Sequence, residues 1–217
     1  LNQRGLALKR LGRPAEAQAA FEASIENWQA QQEQGPRAAL SWVSLASLHM
    51  EAGRLDVAEP LFARARETLE RTLGAKHPST AQLVGTVARL RHAQGRYAEA
   101  ESLLDESIGT LEALVGGEHP VVAAYVMYRG EARAAQDDGP GARDDLERAL
   151  DVFERVGGAP HDIAECRFAL AESLVQLGPE QAARARALAE QAAAAYDARE
   201  LSDEAAEVRA WLARLPT

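Results

Sequence analysis

The sequence predicts an all-α fold built from antiparallel helix pairs that repeat along the chain. Three observations carry this. Turn phrases recur at a period near 42 residues, apolar residues between them fall at helical spacing, and no segment alternates as a strand would. The turn phrases are LGRPAEA (11–17), AGRLDVA (52–58) and QGRYAEA (94–100), with glycines at Gly12, Gly53 and Gly95. QDDGPGA (136–142) is a fourth, with Asp137 standing where the glycine would. LGPEQAARA (177–185) is a fifth, carrying Gly178 and about two extra residues.

Each period divides in the same way. Pro36, Pro78 and Pro120 open it, and proline suits a first helical turn because its missing N–H needs no partner there. The turn glycine closes that helix, since glycine takes positive φ without steric cost. In PRAALSWVSLASLHMEAG (36–53) the apolar surface is Leu40, Val43, Leu45, Leu48 and Met50, with Trp42 beside them. The second helix, 54–74, places Leu55, Ala58, Leu61, Phe62, Ala65 and Leu69 on one face and charge on the other. Small residues recur before the turn (Gly5, Ala46, Ala88, Gly130, Ala171) and after it (Ala17, Ala58, Ala100, Ala142, Ala185). Large residues follow at Phe21, Phe62, Leu104 and Leu146. Helices pack closely only where side chains are small, and a large neighbour fills the gap beside them.

The ends extend this pattern. By analogy with Pro36 the first helix begins before Leu1, so the chain is expected to start inside a helix and to be a fragment of a longer protein. LSDEAAEVRAWLARL (201–215) reads as a last helix with Ser202 at its N-cap and acids in its first turn. Val208, Trp211, Leu212 and Leu215 are expected to cover the open face of the last repeat, as arrays require. The expected repeats are 1–35, 36–77, 78–119, 120–160 and 161–200, in one domain with a capping helix over 201–215.

Composition bounds the function. The chain has 217 residues, 47% of them hydrophobic and 26% charged, so it can bury a core. Its net charge of −9 gives no electrostatic footprint for nucleic acid or anionic lipid. Cys166 is the single cysteine, which forbids an intramolecular disulfide. No apolar run of about 18 residues and no leader pattern occurs. These features point to a cytoplasmic setting without a membrane or nucleic-acid partner.

His77, His119 and His161 recur at intervals of 42 residues. Successive helix pairs stack roughly 10 Å apart, while zinc holds nitrogen at about 2.0–2.1 Å. The histidines therefore read as a loop device: Pro starts the helix and His closes the preceding turn. His161 follows its proline instead of preceding it, so the third copy is imperfect. Asp137 and Asp138 are expected in a turn, and Asp144 and Asp145 on a solvated helix face. Cys166, among Ile163, Phe168 and Leu170, reads as a core thiol. Arg13, Arg54 and Arg96 are expected to serve the free carbonyls of the preceding helix. No phosphate loop, metalloprotease, nucleophile-elbow or kinase catalytic pattern is present. The expectation is thus no catalytic residue, no metal and no cofactor.

These repeats resemble the tetratricopeptide repeat, with its small residue in helix A, turn glycine, and Ala, Phe or Tyr, and Ala along helix B. The period and phrases such as HPSTAQLVGTVARLRHAQGRYAEAESLLDESI (77–108) resemble the long, kinesin-light-chain-like type. The resemblance implies a right-handed superhelical α-solenoid of antiparallel helix pairs: five repeats, the first truncated, plus a C-terminal capping helix. It also implies a concave groove lined by the A helices. By position, groove residues are Leu40, Val43, Ser47 and Met50 in the second repeat, Gln82, Arg89 and His92 in the third, Met127 and Glu131 in the fourth, and Glu165, Phe168 and Glu172 in the fifth. The competing expectation is that some of these pack between neighbouring helices. Peptide-binding members often carry Asn on helix A. Here only Asn2 fits, which argues against an extended peptide clamped by its backbone.

The function implied is a non-catalytic interaction module that binds a protein or peptide segment. Long-type arrays are also familiar in bacterial signalling proteins, including serine/threonine kinases, so a regulatory or scaffolding role in such a parent is expected. The alternative is a structural spacer or self-association element, the chain being a monomer or weakly self-associating.

Overall fold

The computed structural model describes residues 1–215. Among these it contains eleven α-helices and no strand. The helices group into two compact units, residues 1–110 and 111–217. The first holds α1 (Asn2–Arg10), α2 (Pro14–Ala30), α3 (Pro36–Glu51), α4 (Leu55–Leu73) and α5 (Pro78–Ala93), and α6 (Tyr97–Val115) begins in it. The second holds α7 (Pro120–Ala134), α8 (Gly139–Val156), α9 (Pro160–Leu177), α10 (Ala182–Asp197) and α11 (Ser202–Leu212). The extra residues of the fifth turn form a 3₁₀ turn, Pro179–Gln181.

Backbone chemistry sets the boundaries. Gly12, Gly53 and Gly95 take φ of 68°, 72° and 73°, the left-handed conformation that ends a helix. Asp137 takes the same conformation at 62° without being glycine. Asp is one of the few residues that tolerate it. Its neighbour Asp138 then caps α8, accepting from the Gly141 N–H at 3.1 Å. The His-Pro pairs are built alike. His77 Nδ1 accepts from the Ser79 N–H at 3.1 Å, and His119 Nδ1 accepts from the Val121 N–H at 3.2 Å. Each proline takes the first helical position behind its histidine cap. His161 lies inside α9, where Ala159 is the N-cap, and its ring instead tilts against Tyr196 at 5.9 Å.

Small-to-large packing joins the pairs. In the first unit Ala46, Ala58, Phe62, Ala65 and Leu69 share one apolar cluster with Trp42, Leu83 and Leu90. Leu8, Ala17, Ala20 and Phe21 form another with Leu45 and Leu48. In the second unit Leu146, Phe153, Leu170 and Leu174 are fully buried. A Cβ on Gly130 would stand 2.8 Å from Leu146 Cγ and 3.2 Å from the Ala142 carbonyl, so the close approach of α7 to α8 requires glycine. Within each unit, A helices pack directly on one another, α1 on α3 and α7 on α9, while α2 and α4, and α8 and α10, are not packed to that extent.

Three expectations are corrected. Asp145 does not lie on a solvated face: it is 5% exposed and accepts from Arg129 Nε and Nη2 at 2.8 and 2.6 Å and from Arg133 Nη1 at 2.9 Å. Only its neighbour Asp144 reaches solvent, paired with Arg143. The turn arginines stand just before helix B instead of serving the carbonyls behind them. Arg13 pairs forward with Glu16 and Arg96 with Glu99, both at 2.6 Å, while Arg54 Nε donates to His49 Nδ1 at 2.8 Å. Finally, Leu201 is the N-cap of α11 and Ser202 its first helical residue. Val208 is buried as expected, and Trp211, Leu212 and Leu215 are half-buried.

Candidate partner-binding surfaces

The residues expected to line a groove in the first unit lie on α3 and α5. Leu40 is 48% exposed, and Gln82 and Arg89 also reach solvent. Helical spacing explains why. Gln82 and Arg89 are seven residues apart on α5, opposite the buried Leu83, Val87 and Leu90. Val43 and Met50 are half-buried against the apolar cluster and Ser47 is half-buried. The His92 ring meets Tyr97 edge-on at 5.1 Å. At one end of this unit Asn2, Ser24, Trp28, Arg37 and Leu40 line a pocket of about 490 Å³. Asn2 Oδ1 is buried there without a hydrogen-bond partner among the described residues.

In the second unit the residues expected on the groove are Glu131 on α7 and Glu165, Phe168 and Glu172 on α9. Met127 is corrected: it is 1% exposed and belongs to the core, because its side chain turns between the helices with Val126 and Ala123. Phe168 is half-buried, and Trp211 of α11 stands edge-on to it at 5.5 Å and 88°. The capping helix thus shares this surface. It also carries Glu204 in its first turn and Glu207 further along.

Electrostatics distinguish this face. Glu172 is exposed over its side chain, yet its carboxyl lies among neighbouring protein atoms. That burial, followed by the charge of Glu207, holds its pKa above the ordinary carboxylate range. Tyr196 is 5% exposed. Burial, then Glu165, Glu204, Glu207 and Glu131, push its phenol up to about 12. The Cys166 thiol is fully buried and donates to the Leu146 carbonyl at 3.4 Å. Burial and the charges of Glu131, Glu165 and Glu154 raise its pKa far above that of a reactive thiol. Among the described residues no three His, Cys, Asp or Glu side chains are grouped to hold a metal ion, and no helix is long and apolar enough to cross a membrane.

The charge is unevenly placed along the chain. Residues 1–110 contain thirteen basic and thirteen acidic residues, whereas residues 111–217 contain eleven and twenty. The whole net charge of −9 therefore resides in the second unit.

Comparison with known proteins agrees with this architecture. Among curated protein sequences none matches significantly. Among solved structures, BtubC (BKLC) from P. vanneervenii superposes with a TM-score of 0.74 at 18% identity, over 90% of this chain and 78% of that one. A putative kinesin light chain of Podosopora anserina, with nearly identical TPR-like repeats, gives 0.69 at 21% identity, over 89% and 92%. Rap protein, complexed with Competence and Sporulation Factor, gives 0.67 at 14% identity, over 97% of this chain and 61% of that one. At these identities the likeness is one of fold. Sequence profiles described as tetratricopeptide repeat match residues 2–66 and 37–113, together just over half of the chain. The chain belongs to the tetratricopeptide-repeat family and is a repeat array similar to those of kinesin light chains.

Proposed function

We propose that this chain is a non-catalytic interaction module that binds a protein segment on the inner faces of its A helices, as a regulatory or scaffolding region of an intracellular bacterial signalling protein. One observation carries the reading. The inner row leaves a chemically mixed set at the surface: Leu40, Gln82 and Arg89 on one unit, Glu131, Glu165 and Glu172 on the other. Mixed apolar and charged surface is what distinguishes one partner from another. Tetratricopeptide repeats in general bind proteins or peptides, and the similar Rap protein is seen with a bound factor. The buried Cys166 and the ion-paired Asp145 leave neither as a reactive group.

The test is capture of partners on immobilised 217-residue protein, compared with the variant Arg89→Glu, Glu131→Lys, Glu172→Lys after circular dichroism confirms equal helicity. A partner held by wild type and lost at least tenfold on the variant is the expected outcome. Equal capture by both sinks the reading and leaves a spacer or self-association element. Light scattering over a concentration series then decides between those two.

A further inference from the structure

Two successive repeats of the first unit bring the same three positions together with different chemistry. Four residues before the turn glycine stands His49 in one repeat and Arg91 in the next. One residue after that glycine stand Arg54 and Arg96. Six residues after the turn glycine of the preceding repeat stand Gln18 on α2 and Glu59 on α4. In the later repeat the two arginines share one carboxylate. Glu59 Oε1 lies 2.7 Å from Arg91 Nη1 and 3.7 Å from Arg96 Nη1, and Glu59 Oε2 accepts from Gln94 Nε2 at 2.8 Å. The anion between the two cations offsets their repulsion.

In the earlier repeat a neutral amide stands where that anion would. Arg54 Nε donates to His49 Nδ1 at 2.8 Å, and Arg54 Nη2 donates to Gln18 Oε1 at 3.4 Å. A guanidinium only donates, so His49 Nδ1 carries no proton and the neutral ring holds its proton on Nε2. His49 is 7% exposed. A proton on Nδ1 would remove the acceptor and set an imidazolium against a guanidinium, with Gln18 unable to offset either charge. Burial, then the charge of Arg54, hold the His49 pKa below the ordinary histidine range. Glu22 of α2 and Asp56 of α4 are the acids facing the ring, and they oppose that shift without cancelling it. On the α1 side, Lys9 is held by Glu51. The neighbouring Leu48 packs with Leu8, Ala17, Ala20 and Phe21, so this turn of α3 lies where the first two helix pairs meet.

We propose that His49, Arg54 and Gln18 form an acid-sensitive latch between the first two helix pairs: the neutral imidazole holds Arg54 beside Gln18 of α2, and its protonation releases the guanidinium and loosens α1 and α2 from α3. This goes beyond the interaction-module reading and does not depend on any partner. The contribution of the neutral ring is fully present above the unfolded histidine value of about 6.5. It is lost as pH falls from there through the folded value, because the unfolded chain takes up the proton more readily.

The test uses the full chain with ¹⁵N-labelled histidine. The His49 ring signals, identified by their loss in His49→Gln, should show the proton on Nε2. Their titration midpoint should lie below that of the urea-unfolded chain. Gln18→Glu restores the carboxylate of the later repeat and should raise the midpoint. In His49→Gln the amide oxygen accepts from Arg54 and does not titrate. The thermal midpoint of wild type relative to this variant should therefore fall between about pH 7.5 and about pH 5. Over the same interval, amide-exchange protection of α1 and α2, corrected for the intrinsic rate, should drop in wild type and hold in His49→Gln. A proton on Nδ1, or a wild-type midpoint at or above the unfolded one, overturns the proposal. So does an unchanged midpoint in Gln18→Glu, and so does equal loss of α1 and α2 protection in wild type and His49→Gln.

Discussion

At the scale of single residues, His77 and His119 do a job usually given to Ser, Thr, Asn or Asp. Each imidazole Nδ1 accepts the backbone N–H two residues on, and the following proline has no N–H that needs an acceptor. His and Pro together thus settle two of the first helical positions. Truncating the cap removes the acceptor and leaves the fold otherwise intact. His77→Ala should lose about 1 kcal/mol in urea denaturation, whereas His77→Asn, which keeps an acceptor on a short side chain, should stay within a few tenths. Equal losses from both would show that the ring matters through packing and not through its nitrogen.

At the scale of helices, the pairing of α7 with α8 rests on a close approach at Gly130 and on a buried charge. Asp145 of α8 takes three hydrogen bonds from Arg129 and Arg133 of α7. Such a group contributes little over a well-packed apolar substitute, but removing one sign leaves the other poorly compensated. Asp145→Asn should therefore cost about 2–4 kcal/mol in chemical denaturation with the slope of the transition unchanged. A loss under about 0.5 kcal/mol, the scale of an exposed pair, would show that water replaces the carboxylate without cost.

At the scale of the molecule, the burial of the Glu172 carboxyl and its approach to Glu207 make its contribution to stability depend on pH in a stated direction. The Glu172 pKa is higher in the folded state than in the unfolded chain. Below the unfolded value both states are protonated and its contribution is fully present. As pH rises through the folded value, the folded state must hold a charge that it disfavours, and stability is lost. The difference in thermal midpoint between wild type and Glu172→Gln should shift in favour of wild type as pH is lowered from neutral toward the carboxylate range. An identical slope in the variant would assign the effect to other groups.

How much of this was legible in the sequence depended on what each residue answers to. Gly12, Gly53, Gly95 and Pro36, Pro78, Pro120 answer to the backbone alone, so their places in turn and first helical position could be read directly. The small residues at Ala46 and Gly130 answer to one neighbouring helix at a fixed offset, and repetition exposed them. Met127 and Asp145 answer to three-dimensional surroundings. An apolar residue on helix A can turn inward or outward, and the partners of Asp145 lie sixteen and twelve residues upstream on another helix. Glu204 and Glu207 met the same limit, since an acid in the first turn of a helix has a sufficient local reason to be there and one on an exposed helix face needs none. Their approach to Glu172 and Tyr196 follows only from the packing of α11 against α10 and the contact of Trp211 with Phe168.

The placement of all nine net negative charges in residues 111–217 has a consequence for timing. A cationic partner diffusing toward this chain is drawn by the second unit, while the first offers no net pull. Long-range attraction of this kind shortens the search before any side chains touch. It reaches about 10 Å at 0.1 M salt and about 3 Å at 1 M. Added salt would therefore slow the meeting far more than it hastens the parting, and the acids would govern how quickly a basic partner is caught.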